Sequence, residues 1–149
     1  MTDTARVLLT AAVLTAAALS TFAWRVTQID PEETDRLIGE LRLAQWMAVV
    51  FAGLSGVPMG LALARPDMPT AHLDIAVAVA FIGLAGFILQ RDPREGLIVA
   101  SLAFLGHALI DIAHRPGWLP PELSPRWYTA GCATFNVYLA AWCFWARRR

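Results

Sequence analysis

Residues 93–114 read PREGLIVASLAFLGHALIDIAH. The stretch opens on a helix-start signature, with Asp92 as cap, Pro93 in the first turn and Glu95 at the third position. It then runs almost uninterrupted through apolar residues. At a rise of 1.5 Å per residue, about 20 residues cross the hydrocarbon core of a bilayer. Only His107, Asp111 and His114 break its second half. At 100° per residue these three, spaced i, i+4 and i+7, fall on one stripe of a helix. Ionisable groups inside a membrane span are costly to keep, so such a stripe is a functional-site candidate.

The rest of the chain repeats the pattern of an apolar run between short polar patches. Hydrophobic residues make up 57% of the 149 and charged residues only 16%, too apolar for an ordinary soluble domain of this size. The expectation is a single all-α membrane domain, a polytopic helical bundle with five spans at about 5–24, 44–64, 71–90, 93–114 and 125–146. Four spans remain if the first run is a cleaved signal peptide. Asp30-Pro31-Glu32-Glu33 marks another helix start, and 30–43 is expected as an amphipathic surface helix leading into the second span. Pro58 lies within that span among Gly53, Gly56 and Gly60, small residues that permit close helix approach. Arg65 to Pro69 reads as a turn, Arg115 to Pro121 as a hard break, and Ser124-Pro125 as the start of the last helix.

All twelve basic residues are arginines. With five spans and the N-terminus outside, Arg25, Arg36, Arg42, Arg91, Arg94, Arg147, Arg148 and Arg149 fall on the cytoplasmic side. Arg6, Arg65, Arg115 and Arg126 fall on the other. The positive-inside rule prefers this orientation in a bacterial inner membrane. A cleaved first segment would put the terminal arginine triplet outside, which favours retention. The formal net charge of zero gives no basis for a nucleic-acid partner. Cys132 and Cys143 stand eleven residues apart on one expected helix, about 16 Å along its axis, too far to bridge.

Helix direction gathers the polar groups. His72 and Asp74 open the third span and Asp111 and His114 close the fourth, so both pairs lie at one end of the bundle with His107 about 10 Å deeper. Tyr128, Cys132 and Asn136 form a second stripe on the fifth helix at similar depth. Taken singly, several have ordinary readings: Asp74 complements a helix dipole, Cys132 fills apolar space, Asn136 bonds a neighbouring helix, and Tyr128, Trp118 and Trp127 form an interfacial belt. The pair His107–Asp111 differs, because a carboxylate buried in a span needs a partner, a proton or a metal.

These residues also carry a resemblance. A His-x-x-x-Asp-x-x-His helix followed by a helix beginning Gly-Cys, here His107, Asp111, His114, Gly131 and Cys132, resembles an uncharacterised family of small bacterial integral membrane proteins. It covers about the last 45 residues. The family has a further His where this chain has Arg115, and an Asp where it has Asn136. The resemblance implies a shared site without naming its chemistry.

Three functions fit the pattern. The first is an intramembrane enzyme, metal-dependent or acid/base, acting on a lipid-like substrate. There His107, Asp111 and His114 hold a divalent metal, zinc by ligand type, His72 or Asp74 adds a ligand or base, and Asn136 or Tyr128 orients the substrate. No Gly-x-Ser-x-Gly nucleophile motif occurs. The second is a proton or metal-ion transporter, against which stand the apolar inner halves of the last three helices. The third is an accessory or haem-binding subunit of a larger membrane complex. Partners are then the bilayer itself, a homo-oligomer or another membrane subunit.

Overall fold

The computed structural model describes residues 3–65, 67, 68, 70–114, 118 and 125–148. Five helices make up the fold: α1 (Asp3–Thr27), α2 (Thr34–Ala64), α3 (Ala71–Ile88), α4 (Pro93–Ala113) and α5 (Arg126–Arg148). Among the described residues there is no strand. The protein is a helical bundle, and α1 to α4 are each long and apolar enough to cross a membrane. α5 has the length, 23 residues, but its tryptophans, tyrosines and terminal arginines lower its hydropathy.

Helix boundaries follow the local signals closely. Asp92 stands at the N-cap position of α4 without a side-chain cap bond, its carbonyl accepting from the Gly96 amide at 2.7 Å, and Pro93 takes the first position, where a missing N–H costs nothing. Pro125 directly precedes α5, and its carbonyl accepts from the Tyr128 and Thr129 amides. Thr70 caps α3. The expected start at Asp30-Pro31 is displaced. The Asp30 side chain accepts from the Glu32 amide at 2.9 Å and its carbonyl from the Glu33 amide at 3.0 Å, which makes a turn, and the helix begins three residues later. The expected break at 115–121 and Ser124 lie outside the described residues apart from Trp118.

The core is built from stripes at helical spacing. Leu43, Met47 and Phe51 on α2 meet Leu97, Ala100 and Phe104 on α4 and Leu139, Ala140 and Cys143 on α5. The most extensive packing is between α4 and α5 and between α2 and α3. Alanines at 100, 103 and 140 let α4 and α5 approach closely, and the Ser101 hydroxyl donates across to the Ala140 carbonyl at 3.0 Å. Two rows of core residues continue into polar ones. On α4 the row runs from Phe104 to His107 and Asp111; on α5 it runs from Leu139 back to Asn136 and Cys132. α1 joins at the edge. It packs through Leu19, Ala23 and Val26, with Trp24 stacked on Trp145 (5.6 Å between centroids, 9° between planes) and Ser20 hydrogen-bonded to the Tyr138 hydroxyl at 2.5 Å.

The segment expected as a surface helix is instead the start of one continuous α2, and Arg36, Gly39, Glu40 and Leu43 in it are buried. Arg36 accounts for this. Its guanidinium donates to Glu40 Oε1 at 2.7 Å, to the Val26 carbonyl at 2.6 Å and to the Ala146 carbonyl at 3.1 Å. The last two are carbonyls of the final turns of α1 and α5, which lack intrahelical partners and carry the negative end of the helix dipole. Arg94 donates to the other Glu40 oxygen at 3.2 Å. A periodicity argument sees charges and assigns a solvated face; two helix ends arriving from elsewhere in the chain make that face interior.

Gly39 belongs to the same junction. A Cβ there would stand 2.9 Å from Val26 Cγ2 and 3.2 Å from Cγ1, and valine has little rotamer freedom to withdraw. Gly39→Val should therefore destabilise the fold by about 1–3 kcal/mol through overpacking, read as a lower unfolding midpoint in detergent. Val26→Ala in the same chain should restore part of the loss. An unchanged midpoint for Gly39→Val would mean that α1 is not seated against α2 as described.

Candidate functional site

The continuation of the α4 and α5 core rows places four buried polar side chains together. His107 is 4% exposed, Asp111 8%, Cys132 6% and Asn136 0%. Spacing of i, i+4 within each helix puts His107 beside Asp111 and Cys132 beside Asn136, and the close α4–α5 contact brings the pairs face to face. His107 Nδ1 lies 3.3 Å from Asp111 Oδ2 and 3.2 Å from Asn136 Nδ2, and the same amide nitrogen donates to Cys132 Sγ at 3.3 Å. Phe81 stacks on the imidazole (5.0 Å, 22°) and Phe51 meets it edge-on (6.0 Å, 76°), which fixes the plane of the ring.

The protonation logic of the cluster is constrained. An amide nitrogen only donates. If His107 Nδ1 accepts from it, the contact with Asp111 requires a proton on the carboxyl group. If Nδ1 donates to the carboxylate, the amide is turned over so that its oxygen faces the ring. Both arrangements place one proton between His107 Nδ1 and Asp111, a place that a metal ion can take instead. Among the described residues His107 is the one ion-pair partner of Asp111. Among the described residues Asn136 Oδ1 is buried without a hydrogen-bond partner.

A nitrogen of His107, an oxygen of Asp111 and the sulfur of Cys132 all lie within 4.8 Å of one another, so this group could hold a metal ion. His114, expected as the third donor, is not in it. Residues i and i+7 share a stripe but stand two turns, about 10 Å, apart along the axis, and His114 is the C-cap of α4 rather than part of its last turn. The third donor comes from the neighbouring helix instead. His72 is exposed at the start of α3, and Asp74 is buried there with interactions of its own; neither joins the His107 group. Tyr128 lies one turn above Cys132 on α5. Taken singly, Cys132 had an ordinary filling role in the sequence; its place on the Tyr128–Cys132–Asn136 stripe and the Gly-Cys resemblance were the signals that marked it.

Beside the cluster is a cavity of about 720 Å³ between α1, α2 and α5, lined by residues from Ala5 to Thr15, from Val50 to Val57 and from Trp127 to Phe135. This lies within the range of small-molecule sites. Tyr128 and Cys132 form part of its wall, so the polar cluster borders an apolar space that opens between helices. No protein-family model, no curated protein and no solved structure matches this chain.

Proposed function

We propose that this protein is a membrane-embedded enzyme acting on a lipid-like substrate, with His107, Asp111 and Cys132 as the ligands of a divalent metal, zinc by preference. The observation that carries the reading is the shared wall: Cys132 belongs both to the donor group and to the apolar cavity. A substrate in the cavity therefore reaches the donors without crossing water. Zinc accepts imidazole, thiolate and carboxylate together, whereas magnesium and calcium prefer oxygen alone. When bound, the metal supplies a Lewis acid and lowers the pKa of a coordinated water. Asn136, with its free carbonyl oxygen, and Tyr128 orient the polar group of the substrate. Without metal, the proton between His107 and Asp111 supports acid/base chemistry at the same atoms.

A bacterial plasma membrane, with the α1 N-terminus outside, is the setting that the arginine distribution supports. The site then lies in the outer half. A conduit is disfavoured by the layer between the site and the opposite end, where Leu43, Met47, Phe51, Leu97, Phe104 and Leu139 close the core. Relays across bilayers need polar stepping stones on both sides.

The test is metal content of the detergent-purified chain from cells grown with zinc. About one zinc per chain is expected in the parent, with loss in monodisperse His107→Ala and Asp111→Ala variants. Cys132→Ser should weaken binding more than the roughly 10–100-fold typical of groups that only support a ligand. His72→Ala and His114→Ala should keep the metal. A metal-free parent, or variants that retain zinc, would overturn the metal centre.

A further inference from the structure

The cavity is a wedge with a closed end. On one side α1 and α5 are clasped by Trp24 on Trp145 and by Ser20 with Tyr138. Every lining residue of α1 lies between Ala5 and Thr15 and every one of α5 between Trp127 and Phe135, beyond that clasp. From Ala5 to Thr15 the wedge runs about 15 Å, half of the roughly 30 Å hydrocarbon thickness of a bilayer. Its depth is thus that of one leaflet. Among the described residues none of the lining side chains is charged, and the polar ones include Tyr128 and Cys132 on the side of the donor cluster.

We infer that this wedge holds one hydrocarbon chain of a lipid from the leaflet at the α1 N-terminal end, with an uncharged polar group of that lipid, an ester carbonyl or a hydroxyl, at Tyr128 and Cys132. The inference rests on the proposed enzyme for what happens at His107 and Asp111, and stands on the groove for the chain itself. Three features select this occupant. The described lining is uncharged, which suits a hydrocarbon chain. Cys132 lies six residues below the start of α5, about 9 Å, the depth of a linkage or in-chain group rather than of a headgroup. The groove runs only about 15 Å, so a helix crossing the roughly 30 Å hydrocarbon core would be seated along half its length.

Two glycines provide the test. A Cβ at Gly53 or at Gly131 would meet nothing within 4 Å, and both residues line the wedge, so a phenylalanine at either fills the space without displacing the fold. The full chain is reconstituted in phosphatidylcholine nanodiscs doped with a phosphatidylcholine carrying a diazirine in mid-chain, illuminated, and its labelled residues mapped. Labelling at Leu8, Leu54 and Phe135 is expected to exceed that at Val79 and Leu102, which face outward on α3 and α4. Gly53→Phe and Gly131→Phe should lower the groove labelling about ten-fold (about 1.4 kcal/mol) and leave Val79, Leu102 and the bound metal unchanged. Even labelling that neither glycine variant alters would overturn the inference, as would cross-linking of the groove to a second copy of the chain. Groove labelling in a protein that proves metal-free would uphold the chain site and remove the metal centre.

Discussion

Replacing Arg36 with alanine should cost about 3–5 kcal/mol, the penalty for breaking a buried ion pair from one side. The guanidinium is 1% exposed, as is its partner Glu40. Its removal leaves the Glu40 carboxylate held, among the described residues, only by Arg94, whose side chain is 57% exposed. It also takes the donors away from the Val26 and Ala146 carbonyls at the ends of α1 and α5. Arg36→Lys should recover little, because a single ammonium cannot reproduce a planar fork serving three acceptors. Glu40→Leu alone should be similarly costly, and the double variant Arg36→Met with Glu40→Leu should cost less than the sum. The measurement is the unfolding midpoint in detergent across this set. An Arg36→Ala loss below about 1 kcal/mol, the level of an exposed pair, would contradict the buried junction.

Phe51→Ala should rank next, at about 3–5 kcal/mol. The ring is fully buried and meets Phe81 (5.3 Å), Phe104 (5.1 Å) and His107 (6.0 Å), all edge-to-face. In a bilayer the lost contacts and the cavity dominate, because lipid is no less apolar than the core. The effect is double, since the same ring holds the imidazole. Phe51→Ala should therefore weaken metal binding as well as stability, whereas Phe51→Leu should lower stability by a smaller amount and preserve the metal. Parallel melts and metal contents decide this; a cost below about 1 kcal/mol would show that the aromatic cluster does not anchor the core.

The helices were legible in the sequence because proline, acidic caps and apolar length are local signals. Asp92-Pro93, Thr70 and Pro125 stand where α4, α3 and α5 begin. The His107–Asp111 pair was legible for the same reason, being set by the i, i+4 geometry of one helix. What stayed hidden depends on contacts between helices. His114 shares a stripe with His107 but not a height, and axial distance decides which donors meet. Cys132 becomes a donor candidate only because α4 and α5 pack closely through Ala100, Ala103 and Ala140. Arg36 looked like a surface charge because nothing nearby in sequence announces that the ends of α1 and α5 will close over it.

The bond from Arg36 to the Ala146 carbonyl spans 110 residues, from the second helix to the last turn of the chain. At translation rates of 5–20 residues per second, this guanidinium waits roughly 5–20 s after its own synthesis before its final acceptor exists. During that interval the first helix has one of its seats but lacks the Trp145 stack and the Tyr138 hydroxyl. The bundle is latched by the final turn of α5, so a nascent chain stopped before that turn would be recognisable to membrane quality control by a loose first helix and a stranded cation.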